Sequence, residues 1–248
     1  SLNNLAAKDK RICAITAAME SGTGLTEFAH NFPNRFFDVG IAEQHAVTFA
    51  SGLAKNGMVP VFAVYSSFLQ RSYDQLVHDV AMQDLKVIFC IDRAGFVGED
   101  GESHQGVFDT AFLMSVPNLA VFAPSSFSEL SSMLYVAVYK EKNAVAIRYP
   151  RGGERYLPTD YEWDKKEFTV FGDSSAKKCI VTYGREFSEC YEALSELDNT
   201  FVIKLNRIKP INPEVADLVK NTEKIFFFEE GIKSGGVGEC FAELLEEH

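Results

Sequence analysis

The sequence predicts an α/β protein of two units, each a mostly parallel β-sheet covered by helices. Three observations carry this. Short apolar runs of strand length alternate with longer stretches of helical spacing. The strand runs are apolar throughout, as strands buried on both faces are. The alternation lapses once, over residues 152–175, and then resumes in a shorter second stretch.

Taken in order, residues 10–17 form a short buried strand. Residues 43–55 form a helix with Ala46, Val47, Ala50, Leu53 and Ala54 on one face, stopped by Asn56-Gly57. A β-rich strand follows at 59–65. Residues 70–82 have helical spacing, with a stripe of Tyr73, Leu76, Val77 and Val80. The apolar run 86–91 ends in Asp92 and opens onto a Gly-rich, charged loop at 93–106. A strand at 120–123, a helix at 127–140 and a strand at 145–148 complete the first unit. The second contains strands at 179–183, 200–205 and 224–229, with helices at 187–197, 213–219 and 237–247. The predicted division is residues 1–155, a linker at 156–175 holding Pro158 and many charges, and residues 176–248, expected to be incomplete.

Composition narrows the function. With 46% hydrophobic and 24% charged residues the chain is globular. A formal charge of -11 argues against a nucleic-acid partner, which needs a basic face. A phosphorylated metabolite remains open, because a few local arginines suffice for it. The five cysteines form no C-x-x-C pair, and Cys13, Cys90 and Cys179 sit in apolar runs, which suits a reducing cytoplasm. No apolar run is long enough to span a membrane, and no signal segment opens the chain, which begins with Ser-Leu rather than Met.

In parallel sheets ligands gather at loops leaving the carboxyl ends of strands. Residues 65–71, 92–106 and 148–152 qualify by position and are rich in Arg, His, Asp and Tyr. A glutamate opening a helix, as Glu43 does, is by itself only a residue favoured there by the macrodipole. The string Asp38-Val39-Gly40-Ile41-Ala42-Glu43-Gln44-His45 is far more specific. It resembles the pyrimidine-domain signature of thiamine-diphosphate enzymes of the transketolase superfamily. Downstream, Tyr65-Ser66-Ser67-Phe68-Leu69-Gln70-Arg71-Ser72-Tyr73-Asp74-Gln75, Asp92-Arg93-Ala94-Gly95-Phe96-Val97-Gly98, His104-Gln105-Gly106 and Arg148-Tyr149-Pro150-Arg151-Gly152 follow in the order of the 1-deoxy-D-xylulose-5-phosphate synthase family. The resemblance is strong over residues 8–158. It is looser from Cys179 onward, where Glu229-Glu230-Gly231 and Gly235-Gly236 resemble the family's C-terminal domain.

That resemblance implies a thiamine-diphosphate pyrimidine-binding domain followed by a smaller transketolase C-terminal-like α/β domain. It implies that Glu43 hydrogen-bonds the ring nitrogen of the cofactor's aminopyrimidine, driving the tautomer shift that lets the cofactor's own amino group take the thiazolium proton. Such a carboxyl must be poorly solvated. Phe68 matches the aromatic that stacks on the pyrimidine, and Arg71 is grouped with it on the cofactor side. Tyr65, Arg93, Arg151 and Asp100 are implied on the substrate side, with arginine forks suited to a triose phosphate and Tyr65 and Arg71 lining the same pocket. His104 is implied to orient the bound intermediate or shuttle a proton, with Asp100 and Glu102 near enough in sequence to hold it. A zinc site of His104, Asp100 and Glu102 is conceivable, although no second histidine is close in sequence. His78 fits packing or surface, His45 stays ambiguous, Tyr73-Asp74-Gln75 suits packing and subunit contact, and Asp79 has no assigned role.

The implied substrates are pyruvate and glyceraldehyde 3-phosphate, joined with loss of carbon dioxide in isoprenoid-precursor, thiamine and pyridoxal biosynthesis. The implied assembly is a homodimer in the bacterial cytoplasm or plastid stroma. The family's magnesium and diphosphate site carries a Gly-Asp-Gly marker. Here only Glu99-Asp100-Gly101 and Phe171-Gly172-Asp173 come near it. The chain is therefore expected to be a fragment, inactive without that domain, with no metal site of its own. Two other readings stand beside this one: the beta subunit of a thiamine-dependent 2-oxo acid dehydrogenase, and a non-catalytic interaction module that kept the scaffold.

Overall fold

Side chains on a strand alternate between faces, so a strand apolar at every position needs cover on both sides. The computed structural model, which describes residues 1–159 and 161–247, meets that need in the central strands of its larger sheet, while the last strand of the smaller one leaves Phe226 and Phe228 exposed. Residue 160 of the expected linker and residue 248 at the chain end lie outside the described residues. The strands are β1 (Ile12–Thr16), β2 (Phe36–Asp38), β3 (Val59–Tyr65), β4 (Ile88–Asp92), β5 (Ala120–Phe122), β6 (Val145–Arg148), β7 (Phe168–Phe171), β8 (Lys178–Tyr183), β9 (Thr200–Leu205), β10 (Arg207–Lys209) and β11 (Lys224–Phe228). They form a seven-stranded sheet of order β10-β5-β6-β4-β3-β1-β2 and a four-stranded sheet of order β11-β8-β9-β7. Pairing is parallel except for β10 on β5 and β7 on β9.

Ile15, Phe62, Val64, Phe89 and Ile91 face one apolar cluster. Ile12, Ala14, Val61, Ala63, Ile88 and Cys90 face another on the opposite side of the sheet. The first cluster runs on without a break into Val181, Tyr183, Phe201, Ile203 and Leu205 of the second sheet. The two units thus share a core, and burial of this kind stabilises each large side chain by roughly 1.5–3 kcal/mol.

The helices are α1 (Leu2–Lys8), α2 (Thr26–Asn31), α3 (Glu43–Lys55), α4 (Ser66–Leu69), α5 (Tyr73–Gln75), α6 (Asp109–Ser115), α7 (Phe127–Tyr139), α8 (Glu186–Ala193), α9 (Glu214–Val219) and α10 (Val237–Glu247). Helix α3 and strands β3 and β6 have the bounds that the sequence predicts. Four features differ. The helix expected at 70–82 begins at Ser66 and is broken: α4, a 3-10 turn, α5, a π-helical turn at Leu76–Val80 and a last 3-10 turn. One reason is local, since the Ser72 hydroxyl donates to the Leu69 carbonyl at 3.0 Å and competes with the backbone. β2 and the helices α1, α2 and α6 were not foreseen, being too short to show a period. The stretch expected as linker contains β7, an antiparallel edge strand on β9. Finally, β10 leaves the second unit to pair with β5 of the first sheet.

Within the large sheet β1 neighbours both β2 and β3, so the chain direction across the sheet reverses there. The carboxyl ends of β3, β4 and β6 lie side by side, with Tyr65 paired to Asp92 and Ile91 to Arg148. This register is what gathers the predicted loops at one edge of the sheet.

A buried acid and an arginine-lined loop cluster

Glu43 is the first residue of α3 and is only 2% exposed. The preceding turn is set by Asp38, whose carboxylate accepts from the backbone of Ala18 at 2.8 Å and Gly40 at 2.9 Å. Gly40 takes a left-handed φ of 70°, so the chain can turn into the helix. An Arg71 nitrogen lies 2.9 Å from Glu43 Oε2. It is not aligned to donate, and this oxygen is a buried acceptor with no hydrogen-bond partner. The distance records attraction and the angle records an unmade bond; the angle decides what the oxygen can still accept. A buried, unsatisfied carboxylate oxygen is costly and invites a donor from outside the chain.

Beyond it the side chains expected on the substrate side meet. Tyr65 stacks on Phe68 with ring centroids 5.7 Å apart, and His104 meets Phe68 edge-on at 5.2 Å. Arg93 lies over Tyr65, its guanidinium carbon 3.7 Å from the ring centroid. Its nitrogens also reach Asp100 at 3.0 Å and the Gly22 carbonyl at 2.9 Å. Arg151 joins the same Asp100 at 3.4 Å and Glu99 at 3.0 Å. Asp100 thus draws Arg93 and Arg151, from two separate strand-end loops, into one place. It is not the partner of His104, as the sequence had suggested: its carboxylate is taken up by the two arginines, and His104 Nδ1 pairs with Ser103 at 3.0 Å. Arg71 likewise sits with Glu43 rather than with the other two arginines.

Burial pushes the Asp92 carboxyl up to about 6, with Arg93 pulling it back down. Burial also raises the Tyr65 phenol, again opposed by Arg93. Among the described residues no group of three His, Cys, Asp or Glu is placed to hold a metal ion. His45 stacks on Phe49 at 6.1 Å, and the Tyr73 hydroxyl pairs with Ser115 at 2.8 Å. A small cleft lined by Phe127, Leu130, Tyr149, Pro150, Arg155 and Ser188 has none of the predicted site residues in its wall.

Several residues of this region had no assigned role. Asp109 and Arg148 form a buried ion pair at 2.8 Å behind the loop. Gly22 gives Tyr65 its room, since a Cβ there would lie 1.7 Å from the phenol oxygen. Gly106 gives the loop its return path, since a Cβ there would lie 2.1 Å from the Arg93 carbonyl. Arg148 left a signal in the sequence as a charge closing an otherwise apolar strand, and Gly106 as the end of the His104-Gln105-Gly106 string; Gly22 and Asp109 left none.

Comparison with known proteins places this geometry. Residues 1–155 match the transketolase pyrimidine-binding domain and residues 173–248 the transketolase C-terminal domain. The 1-deoxy-D-xylulose-5-phosphate synthase of Clostridium kluyveri is 46% identical over 98% of this chain and 39% of its own length. That of Symbiobacterium thermophilum is 48% identical over 98% of this chain and 38% of its own. The chain therefore spans about two fifths of the curated relatives it matches. A solved structure described as a split-gene transketolase, an inactive β4 tetramer, superposes with a TM-score of 0.86 at 28% identity, covering 100% of this chain and 82% of that one. Glu43, Phe68 and the arginine loops all fall within the first matched span, and the chain belongs to the transketolase pyrimidine-binding domain family, continued by a transketolase C-terminal domain.

Proposed function

We propose that this chain supplies the pyrimidine-binding half, and part of the C-terminal domain, of a 1-deoxy-D-xylulose-5-phosphate synthase. The full enzyme would join pyruvate to glyceraldehyde 3-phosphate with loss of carbon dioxide. One observation carries the cofactor side: Glu43 holds a carboxylate oxygen out of water with no donor aligned to it. This fits the ring nitrogen of an aminopyrimidine, which can share a proton with such an oxygen. Thiamine diphosphate, when bound, supplies the carbanion chemistry. Glu43 holds a proton at the pyrimidine edge, Phe68 offers a face for stacking, and Arg71 keeps positive charge beside the acid.

On the substrate side Arg93 and Arg151 bind the phosphate of the triose, each offering a planar fork of donors. Asp100 holds the two arginines together until the phosphate arrives, and Tyr65 orients Arg93 through its ring face. His104, against Tyr65 and Phe68, is the group placed to move a proton near the reacting carbons. Identities of 46% and 48% to synthases, maintained along the whole chain, favour this reading over the dehydrogenase subunit.

The diphosphate and its magnesium would be held by a domain outside this sequence, and the isolated chain would be inactive. The description of the split-gene relative as inactive accords with that. A homodimer in the cytoplasm is the expected assembly and setting. The test is to supply the diphosphate-binding segment of a relative together with thiamine diphosphate and magnesium, and to compare wild type with Glu43→Gln. Wild type should turn over, and the variant should lose about 10²–10⁴-fold in kcat. Equal rates would remove the role of Glu43, and turnover by the isolated chain would remove the need for the second domain.

A further inference from the structure

The second unit holds the site loop at four points. Arg185, at the start of α8, donates to the Phe96 carbonyl at 3.1 Å and pairs with the Glu230 carboxylate. Glu230 packs directly on Gly95: a Cβ there would lie 2.4 Å from Glu230 Oε2, and Gly95 has a φ of 80° that side chains rarely adopt. The Glu230 carbonyl accepts from Arg148 at 2.8 Å, and the same Arg148 donates to the Gly106 carbonyl at 3.3 Å and to Asp109 at 2.8 Å. Two residues on, the Ile232 N–H donates to the Val107 carbonyl at 3.0 Å. Glu229 anchors the segment from behind, accepting from the Tyr183 hydroxyl at 2.8 Å and from the first backbone N–H groups of α10.

The points held are not arbitrary. Gly95 and Gly106 exchange both backbone hydrogen bonds at 2.8 Å, closing residues 95–106 into a loop with a two-residue neck. Arg93 stands just outside that neck, while Asp100 and His104 stand on the loop. Fixing the neck therefore fixes the three groups that face the substrate. Arg148 is 5% exposed and Asp109 is 1% exposed, so the bridge is desolvated, where charged hydrogen bonds are strongest.

We propose that Arg185, Glu230 and Arg148 are positioning residues: a clamp by which the C-terminal unit sets the geometry of the loop carrying Arg93, Asp100 and His104. This rests on the reading of those three as substrate-side groups, but its central test needs no activity. Amide hydrogen exchange is measured on the whole chain for wild type, Arg185→Gln, Glu230→Gln, their double variant and Arg148→Gln, with Arg155→Gln as an exposed control. The amides of Gly95 and Gly106 should exchange about tenfold faster or more in each clamp variant, the size expected from losing a charged hydrogen bond. Amides of β1 and β4 should keep their wild-type rates, and the double variant should loosen the neck no more than either single one. Arg148→Gln is the variant most at risk of unfolding, so the two less buried positions decide. Unchanged neck exchange in both Arg185→Gln and Glu230→Gln overturns the clamp. So does an equal acceleration of neck and core, which marks general destabilisation. In the reconstituted enzyme the clamp variants should raise KM for the phosphorylated aldehyde more than they lower kcat. Loss of activity in wild type would count against the synthase reading alone and leave the exchange result standing.

Discussion

Replacing Lys204 by Met tests how firmly the second unit is fixed to the first. Lys204, on β9, is 0% exposed, and Glu129, on α7 of the first unit, is 2% exposed. Their atoms meet at 2.6 Å, and the ammonium also donates to Asn206 at 2.5 Å. The carboxylate further accepts from the Tyr161 hydroxyl at 2.8 Å and the Ser125 N–H at 2.6 Å. Breaking such a pair by removing one partner strands a buried charge, at about 3–5 kcal/mol. Glu129 keeps two donors in the variant, so the lower end applies, about 3 kcal/mol. In a chain of 248 residues that lowers Tm by roughly 6–12 °C. Trp163, the single tryptophan, sits edge-on to Phe122 at 6.3 Å, where the two units adjoin, and its fluorescence reports urea unfolding there. Glu129→Gln should cost less than Lys204→Met, because burial already lowers the Lys204 ammonium and a lysine left alone can shed its proton. The double variant should cost clearly less than the two singles added, by about 1–3 kcal/mol. A loss under about 1 kcal/mol for Lys204→Met, or strict additivity, would refute a desolvated link between the units.

Other outcomes follow from the same geometry. Asp92 is raised from 3.8 to about 6 chiefly by burial, so between those values the folded chain binds more protons than the unfolded one. Its contribution is therefore fully present below about pH 4 and is lost as pH rises through about 6, by roughly 3 kcal/mol; Asp92→Asn should remove that slope from stability measured against pH. Gly106→Ala places a Cβ against the Arg93 carbonyl, which cannot yield cheaply, and should displace the site loop in a crystal structure and lower Tm. Gly22→Ala meets only the ring end of the Tyr65 side chain and no backbone, so it should leave Tm within a few degrees. Yet it should turn the ring from beneath Arg93 and, on the proposed substrate assignment, raise KM for the triose phosphate about tenfold in reconstituted enzyme, the scale of one desolvated cation–π contact.

The division between what the sequence held and what folding decided runs along range. Runs such as residues 59–65 and 145–147, apolar at every position, can be buried only between two layers, so strand type and α/β class were legible from the chain alone. Helix α3 was legible to its ends, because its stripe and its Asn56-Gly57 stop are local. Glu43, Phe68, Tyr65, Arg93 and Arg151 were singled out in the sequence through the family resemblance of the motifs that hold them, and their roles remain a proposal. Tertiary structure alone decided which of them meet. That Asp100 serves the two arginines and not His104 depends on β4 and β6 lying in register, and that Arg71 serves Glu43 depends on β2 and β3 flanking β1. The same holds for β10, whose partner strand lies far back in the sequence, and for Arg148, Asp109 and Glu230, which meet only after both units have folded. A hydrogen bond or ion pair acts over a few ångströms in space and leaves no period along the chain, so it can be read only once the backbone has brought its partners together.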